Sequence, residues 1–219
     1  RFDNVTGVQT CALPIYHTTH TTHRRQMIYL YAIVCVYLML PILIYIGVIP
    51  WSMKFAALVV GVVAMYIVMR ILGNTHSDIG ITRQRTIYSL KTVLPITIAL
   101  IIAAGLFLLL EKPRFSPTEG IGFYVFYVLI SCPAQELLFR GILSRMLQEL
   151  RLHRVLELGA AAALFGYVHI IYGDMLTVVV MSIVGLFWYQ AYQQSLNVIG
   201  VTISHVVLGV ITIALGIID

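Results

Sequence analysis

The chain has 219 residues, 60% of them hydrophobic and only 11% charged, with a formal net charge of +5 and a mean hydropathy of +0.93. Soluble domains carry about 25% charged residues, so this deficit excludes an ordinary soluble globule and assigns the chain to a lipid bilayer. The basic residues are scattered through short polar stretches with no basic arm. That excludes a nucleic-acid footprint and fits loops that set membrane topology.

The N-terminus stands apart. Residues 5–15, VTGVQTCALPI, resemble a translated sequencing-library adapter, and the YHTTHTTHRR that follows is polar and His-rich. His17, His20 and His23 have the composition of a metal-binding tract, but an artefactual or disordered segment is the simpler reading of residues 1–26. Residues 27–219 are read as one transmembrane helical domain.

A membrane-crossing helix needs about 20 mostly apolar residues. Met27–Ile49 supplies the first, with a kink expected at Pro41. Lys54–Ile71 is the second. The polar connector GNTHSDIGITRQRTIYSLK follows. The spacing of Ile87, Leu90, Val93 and Leu94 predicts a helix lying along the membrane surface over its end. Thr92–Leu110 is the third span, and EKPRFSPTEG is a loop. The fourth begins near Ile121 and continues past Arg140 toward Leu150, bent at Pro133. Ala160–Tyr172 is the fifth. Met175–Ile218 holds no Asp, Glu, Lys or Arg and is too long for one crossing. The cluster Gln190, Gln193, Gln194, Ser195, Asn197 divides it into spans six and seven.

The fold expected is therefore all-α, a polytopic bundle of about seven transmembrane helices without internal repeat. Arginines concentrate before span one, in the 70–91 connector and in the 140–157 region, which fall on one side of seven spans. The positive-inside rule puts that side, and the N-terminus, in the cytoplasm. Lys54, Asp174 and Asp219 fall on the other. Tyr29, Tyr31, Trp51, Trp188, Tyr189 and Tyr192 read as interfacial belts. Gly61, Gly105, Gly185 and Gly216 read as helix-packing positions, and Cys35 and Cys132 as small buried hydrophobes.

Few ionisable groups remain inside the spans: Glu136, Arg140, His169 and His205. Glu136 and Arg140, four residues apart, share a helix face and can pair. A lone histidine on an apolar face is ordinarily a satisfied core residue. Two on separate spans, with an embedded carboxylate, are candidates for a site. Counting along the spans brings the three together on the arginine-rich side of the midplane, in a cavity expected to open there. One carboxylate and two imidazoles suit a catalytic zinc or a water activated without metal, and composition does not choose.

The stretch QELLFRG, Gln135–Gly141, resembles the EExxxR motif of the CPBP (CAAX protease and bacteriocin-processing) intramembrane proteases. Phe165–His169, FGYVH, resembles the family's FxxxH, and His205–Gly209 its late histidine motif. DIGITRQR and FWYQAYQQSLNVIGVTISH resemble the segments that lead into them. The resemblance implies peptide hydrolysis at or in the membrane, in some members after a prenylated cysteine. It implies a general base at position 135, a supporting acid at Glu136 paired with Arg140, and water orientation or metal binding by His169 and His205. Position 209, and the motif's Phe165, would belong to the oxyanion region.

Two positions depart from that pattern. Gln135 has no basic lone pair to take a proton from water, and a general base is worth about 10²–10⁴ in rate. Gly209 has no side chain to donate to an oxyanion, a loss of about 10²–10³. Glu136 is an alternative base if a bend at Pro133 turns it toward the water.

The leading expectation is an intramembrane endopeptidase that activates water through Glu136, His169 and His205, with one zinc held by these three or with no metal. The alternative is an inactive family member that acts as a membrane binding or immunity protein. A proton-relaying transporter lacks the repeat architecture it usually needs. The expected partners are a membrane-associated peptide or protein substrate and the bilayer. The expected location is the bacterial plasma membrane, multi-pass, N-terminus inside.

Overall fold

A computed structural model describes the backbone of residues 15–218 and the side chains from residue 23 onward. The adapter-like stretch up to Pro14, with Cys11, lies outside the described residues, as do the side chains of His17 and His20 and all of Asp219. The fold is all-helical among the described residues. Its spans are α1 His23–Tyr45 (its backbone helix begins at Ile15), α2 Trp51–Ile71, α3 Thr86–Leu110, α4 Ile121–Glu149, α5 Arg154–Tyr172 and α6 Met175–Ser195. A shorter seventh, α7, runs Val198–Ala214. The expected seven-helix bundle is present.

The helices are apolar on nearly all sides, with large side chains exposed along α1 and α3, as a helix facing lipid requires. α4 is the central element. It touches α1, α2, α5 and α7, while α3 packs on α6 and α7, and α5 on α6.

Two of the prolines inside spans produce the same device. Pro41 has no N–H to give the turn before it, and Ile33–Met39 widens into a π-helix just upstream. Pro133 is preceded by a π stretch at Tyr127–Ser131 and followed by another at Leu137–Ile142. The expected bend at Pro133 is thus spread over two π turns flanking Cys132–Glu136. Tyr37 of α1, fully buried, donates to the Leu138 carbonyl of the second π turn at 2.7 Å, which supplies that irregular backbone with a partner.

Four expectations are corrected. The end of the connector is not a separate helix, because residues 86–94 are the first turns of the continuous α3. Tyr29, Trp188, Tyr189 and Tyr192 are core residues rather than an interfacial belt. Three of their polar tips have internal partners: Asn74 for Tyr29, Ser204 for Trp188 and Glu157 for Tyr189. Tyr31 and Trp51 are exposed, as an interfacial position requires. Cys35 is exposed, at no cost for a small apolar group in lipid, while Cys132 is buried. Gly105 has open space beside it, whereas Gly185 does receive the Phe165 ring.

The arginine-rich end is closed by polar contacts. Asn197 donates to the carbonyls of Thr82 and Gln84, both at 2.8 Å, and ties the connector to the α6–α7 turn. Gln193 bridges Ser144 and Glu157, and Gln26 of α1 reaches the Glu149 carbonyl. At the other end, the backbone N–H groups of Arg114 and Phe115 donate to the Gly216 carbonyl, which holds the 111–120 loop against the C-terminal turn.

Candidate active site

The site is built on the α-helical turn Cys132–Glu136 between the two π stretches. Successive residues of a helix point about 100° apart. Gln135 therefore faces a cavity while Glu136 faces the protein interior.

Glu136 is fully buried and both its oxygens are engaged. Oε1 accepts from His205 Nδ1 at 2.7 Å, and Oε2 lies 3.1 Å from Arg140 Nε. The second contact is electrostatic: the Arg140 N–H groups are not aligned for a hydrogen bond with any acceptor among the described residues. The guanidinium instead lies over the Phe165 ring, 3.9 Å from its centroid, with Trp188 at 5.4 Å. Phe165 is thus the platform on which the buried cation rests. It is itself packed edge-on against Phe139, Trp188 and both site histidines.

The two histidines are oriented differently. His205 hangs from α7 with its ring 4.7 Å from Trp188, whose Nε1 donates to Ser204 at 2.9 Å. Its Nδ1 meets a carboxylate. His169 lies where α5 tightens into the 3-10 turn Val168–Tyr172. Its Nδ1 is 2.8 Å from the Phe165 carbonyl, which can only accept. Nδ1 therefore carries the proton, and in the neutral ring Nε2 keeps its lone pair.

Two cavities meet here. The larger, about 360 Å³, lies between α3, α6 and α7 and is lined by Tyr127, Gln135, His169, Tyr172, Trp188, His205, Gly209 and apolar side chains of those helices. The smaller, about 90 Å³, lies between α1, α2 and α5. Gln135, His169 and Tyr172 line both. Of the sequence candidates, Gln135, His169, His205 and Gly209 share one cavity. Glu136, Arg140 and Phe165 lie behind its wall.

The cavity does not open at the arginine-rich end as expected. The larger one extends to Arg114, Leu176, Ile217 and Ile218, and the smaller one to Lys54, all at the opposite end. The physical reason is the polar plug of Ser144, Gln148, Gln193 and Glu157, which fills the arginine-rich end. Glu136 as an alternative base is also not supported, because the turn after Pro133 directs it inward.

A zinc ion does not fit these side chains. The Glu136 carboxylate is already committed to an imidazole and a guanidinium, and a second cation beside Arg140 would be repelled. No three His, Cys, Asp or Glu side chains converge as metal ligands among the described residues.

Sequence reasoning missed Tyr127, whose ring stands edge-on to His205 at 6.0 Å. The signal was available: Tyr127, Ser131 and Gln135 recur every four residues, and Gln135 Nε2 donates to Ser131 Oγ at 3.0 Å. Trp188 was read as a belt residue and is a wall of the site.

Residues 117–211 match the family model described as type II CAAX prenyl endopeptidase Rce1-like. The match takes in somewhat under half of the chain and contains all three motifs, so the resemblance to the CPBP proteases is borne out over this stretch. It supports an intramembrane endopeptidase of CAAX type. No curated protein and no solved structure matches the chain.

Proposed function

We propose that the chain is a metal-independent intramembrane endopeptidase that cleaves membrane-associated peptides, with His169 as the base that activates water. The observation that carries this reading is the His169 Nδ1–H donated to the Phe165 carbonyl. It leaves Nε2 as a lone-pair nitrogen on a cavity wall where position 135 offers only an amide. His169 Nε2 takes a proton from water, the hydroxide attacks the scissile carbonyl, and the imidazolium returns the proton to the leaving amine. Glu136 and Arg140 act through others. Glu136 holds His205 in one orientation, and Arg140 neutralises the carboxylate. The apolar cavity excludes bulk water and accepts an apolar peptide or a prenyl chain, in keeping with the family match.

The test is cleavage of a prenylated-cysteine peptide in proteoliposomes. His169→Ala is expected to lower kcat by about 10²–10⁴ while the protein stays folded, and chelators are expected to have no effect. Retention of wild-type turnover in His169→Ala overturns the assignment. Gln135 also favours a second reading, a non-catalytic membrane protein that binds a peptide in the same cavity. Wild type that binds the peptide without cleaving it would select that reading.

A further inference from the structure

We infer that Tyr127 supplies the hydrogen bond that stabilises the oxyanion in this cavity, in the space left open by Gly209. The inference rests on the proteolytic reading of the site, which it deepens.

The geometry begins at residue 209. A β-carbon there would overlap the Tyr127 hydroxyl and come within 2.6–2.7 Å of Cζ and Cε1 of the ring. The absent side chain and the phenol are therefore complementary: the hydroxyl occupies the position that any larger residue at 209 would fill. Tyr127 comes from the π stretch Tyr127–Ser131, and its ring is set by stacking on Phe123 and by the edge of His205.

Several polar groups on the cavity wall are already engaged. Gln135 donates to Ser131, and Thr212 donates to the Leu208 carbonyl. Arg114 is paired with Asp174 at the mouth. His169 presents a lone pair. Tyr127 lines the cavity with its hydroxyl against Gly209, and the neighbours of that hydroxyl include the Cys132 thiol, a weak acceptor. Its proton is available to a stronger acceptor, and a carbonyl oxygen gaining charge is one. When water attacks, the carbonyl π electrons move onto oxygen, Tyr127 O–H donates to that oxyanion without giving up its proton, and the bond relaxes when the C–N bond breaks. A phenol in place from the outset needs little reorganisation at the moment of reaction.

The test uses the full chain in proteoliposomes with a prenylated-cysteine peptide, and a phosphinate analogue of that peptide as a tetrahedral mimic. Tyr127→Phe removes one oxygen and leaves the ring packing. The expected result is a fall in kcat of about 10²–10³ with KM nearly unchanged, and a matching loss of phosphinate affinity but not of peptide affinity. Gly209→Ala, which crowds the hydroxyl, is expected to lower kcat in the same way, and Tyr127→Ala with Gly209→Asn to recover part of it. Wild-type kcat in Tyr127→Phe overturns the assignment while leaving His169 untouched. A wild-type protein that cleaves nothing yet binds the phosphinate through Tyr127 overturns turnover but not the donor. Cleavage that fails together with any phosphinate preference overturns both.

Discussion

Residues 135 and 136 are neighbours on one helical turn and belong to two different regions. Glu136 lies in a buried knot with Arg140, over which the Phe165 and Trp188 rings close, and is joined to the cavity through His205, which lines it. Gln135 lies on the wall of an open cavity with His169, Tyr127 and Gly209. The knot is charged and has no room to react. The wall is nearly neutral and has the room. In the proposed mechanism the charges that make this stretch conspicuous in an apolar sequence hold the site, and the reacting groups lie on the cavity wall beside them.

The largest expected effect breaks the knot. Glu136→Gln leaves the Arg140 guanidinium buried without its counter-ion, and uncompensated buried charge costs about 3–5 kcal/mol. Thermal unfolding in detergent should show a large fall in Tm. Replacing both partners, Glu136→Leu with Arg140→Met, should recover most of the stability, since an apolar pair of similar volume avoids the desolvation of two charges. It should not recover activity, because His205 loses the acceptor that orients it. Equal damage from the single and double variants would show that the charges do more than balance each other.

The next effects act on the wall alone. His169→Ala should abolish most turnover with little change in Tm, the reverse of the expected balance for Glu136. Gln135→Glu puts a carboxylate beside a lone-pair imidazole at the cavity junction. A second base there should raise kcat about 10-fold or more, within the range a general base contributes. A Gln135→Glu variant slower than wild type would mean that the amide, through its hydrogen bond to Ser131, contributes to the reaction itself.

Much of this division was legible in the sequence. The spans followed from unbroken apolar runs, and α4 was read as one long helix around Pro133. The pairing of Glu136 with Arg140 followed from their spacing, and the three motifs brought both histidines to the same place. What the sequence did not carry was rotation. Two π turns in α4 change the angular count, so the face presented by Glu136 could not be obtained from a period of 3.6. Trp188 and Tyr189 were misread because an aromatic near a span end looks the same whether its polar tip meets water or Ser204 and Glu157. The direction in which the cavity opens was misjudged because charge counts locate loops and say nothing about the polar plug beneath them.

The smallest effect lies at the mouth. Asp174 caps α6, accepting from the Thr177 hydroxyl and from the backbone N–H of Leu176 and Thr177, and it pairs with Arg114 at 2.5 Å. The Thr177 hydroxyl first, and the Arg114 guanidinium with it, hold its carboxyl below the usual carboxylate range. A depressed value means that the folded state favours the ionised form. The contribution is present above the unfolded value of about 3.9 and is lost as pH falls through the folded value. The pair is partly exposed, so its worth is about 1 kcal/mol or less. Below about pH 4 the 111–120 loop should loosen from the C-terminal turn. Hydrogen exchange should accelerate at the Arg114 and Phe115 amides, which donate to Gly216, while the buried amides of α4 stay protected. Asp174→Asn should reproduce that loosening at neutral pH. If acid or Asp174→Asn instead released the α4 amides, the mouth and the knot would be one cooperative unit, and the separation of wall from knot would fail at its weakest point.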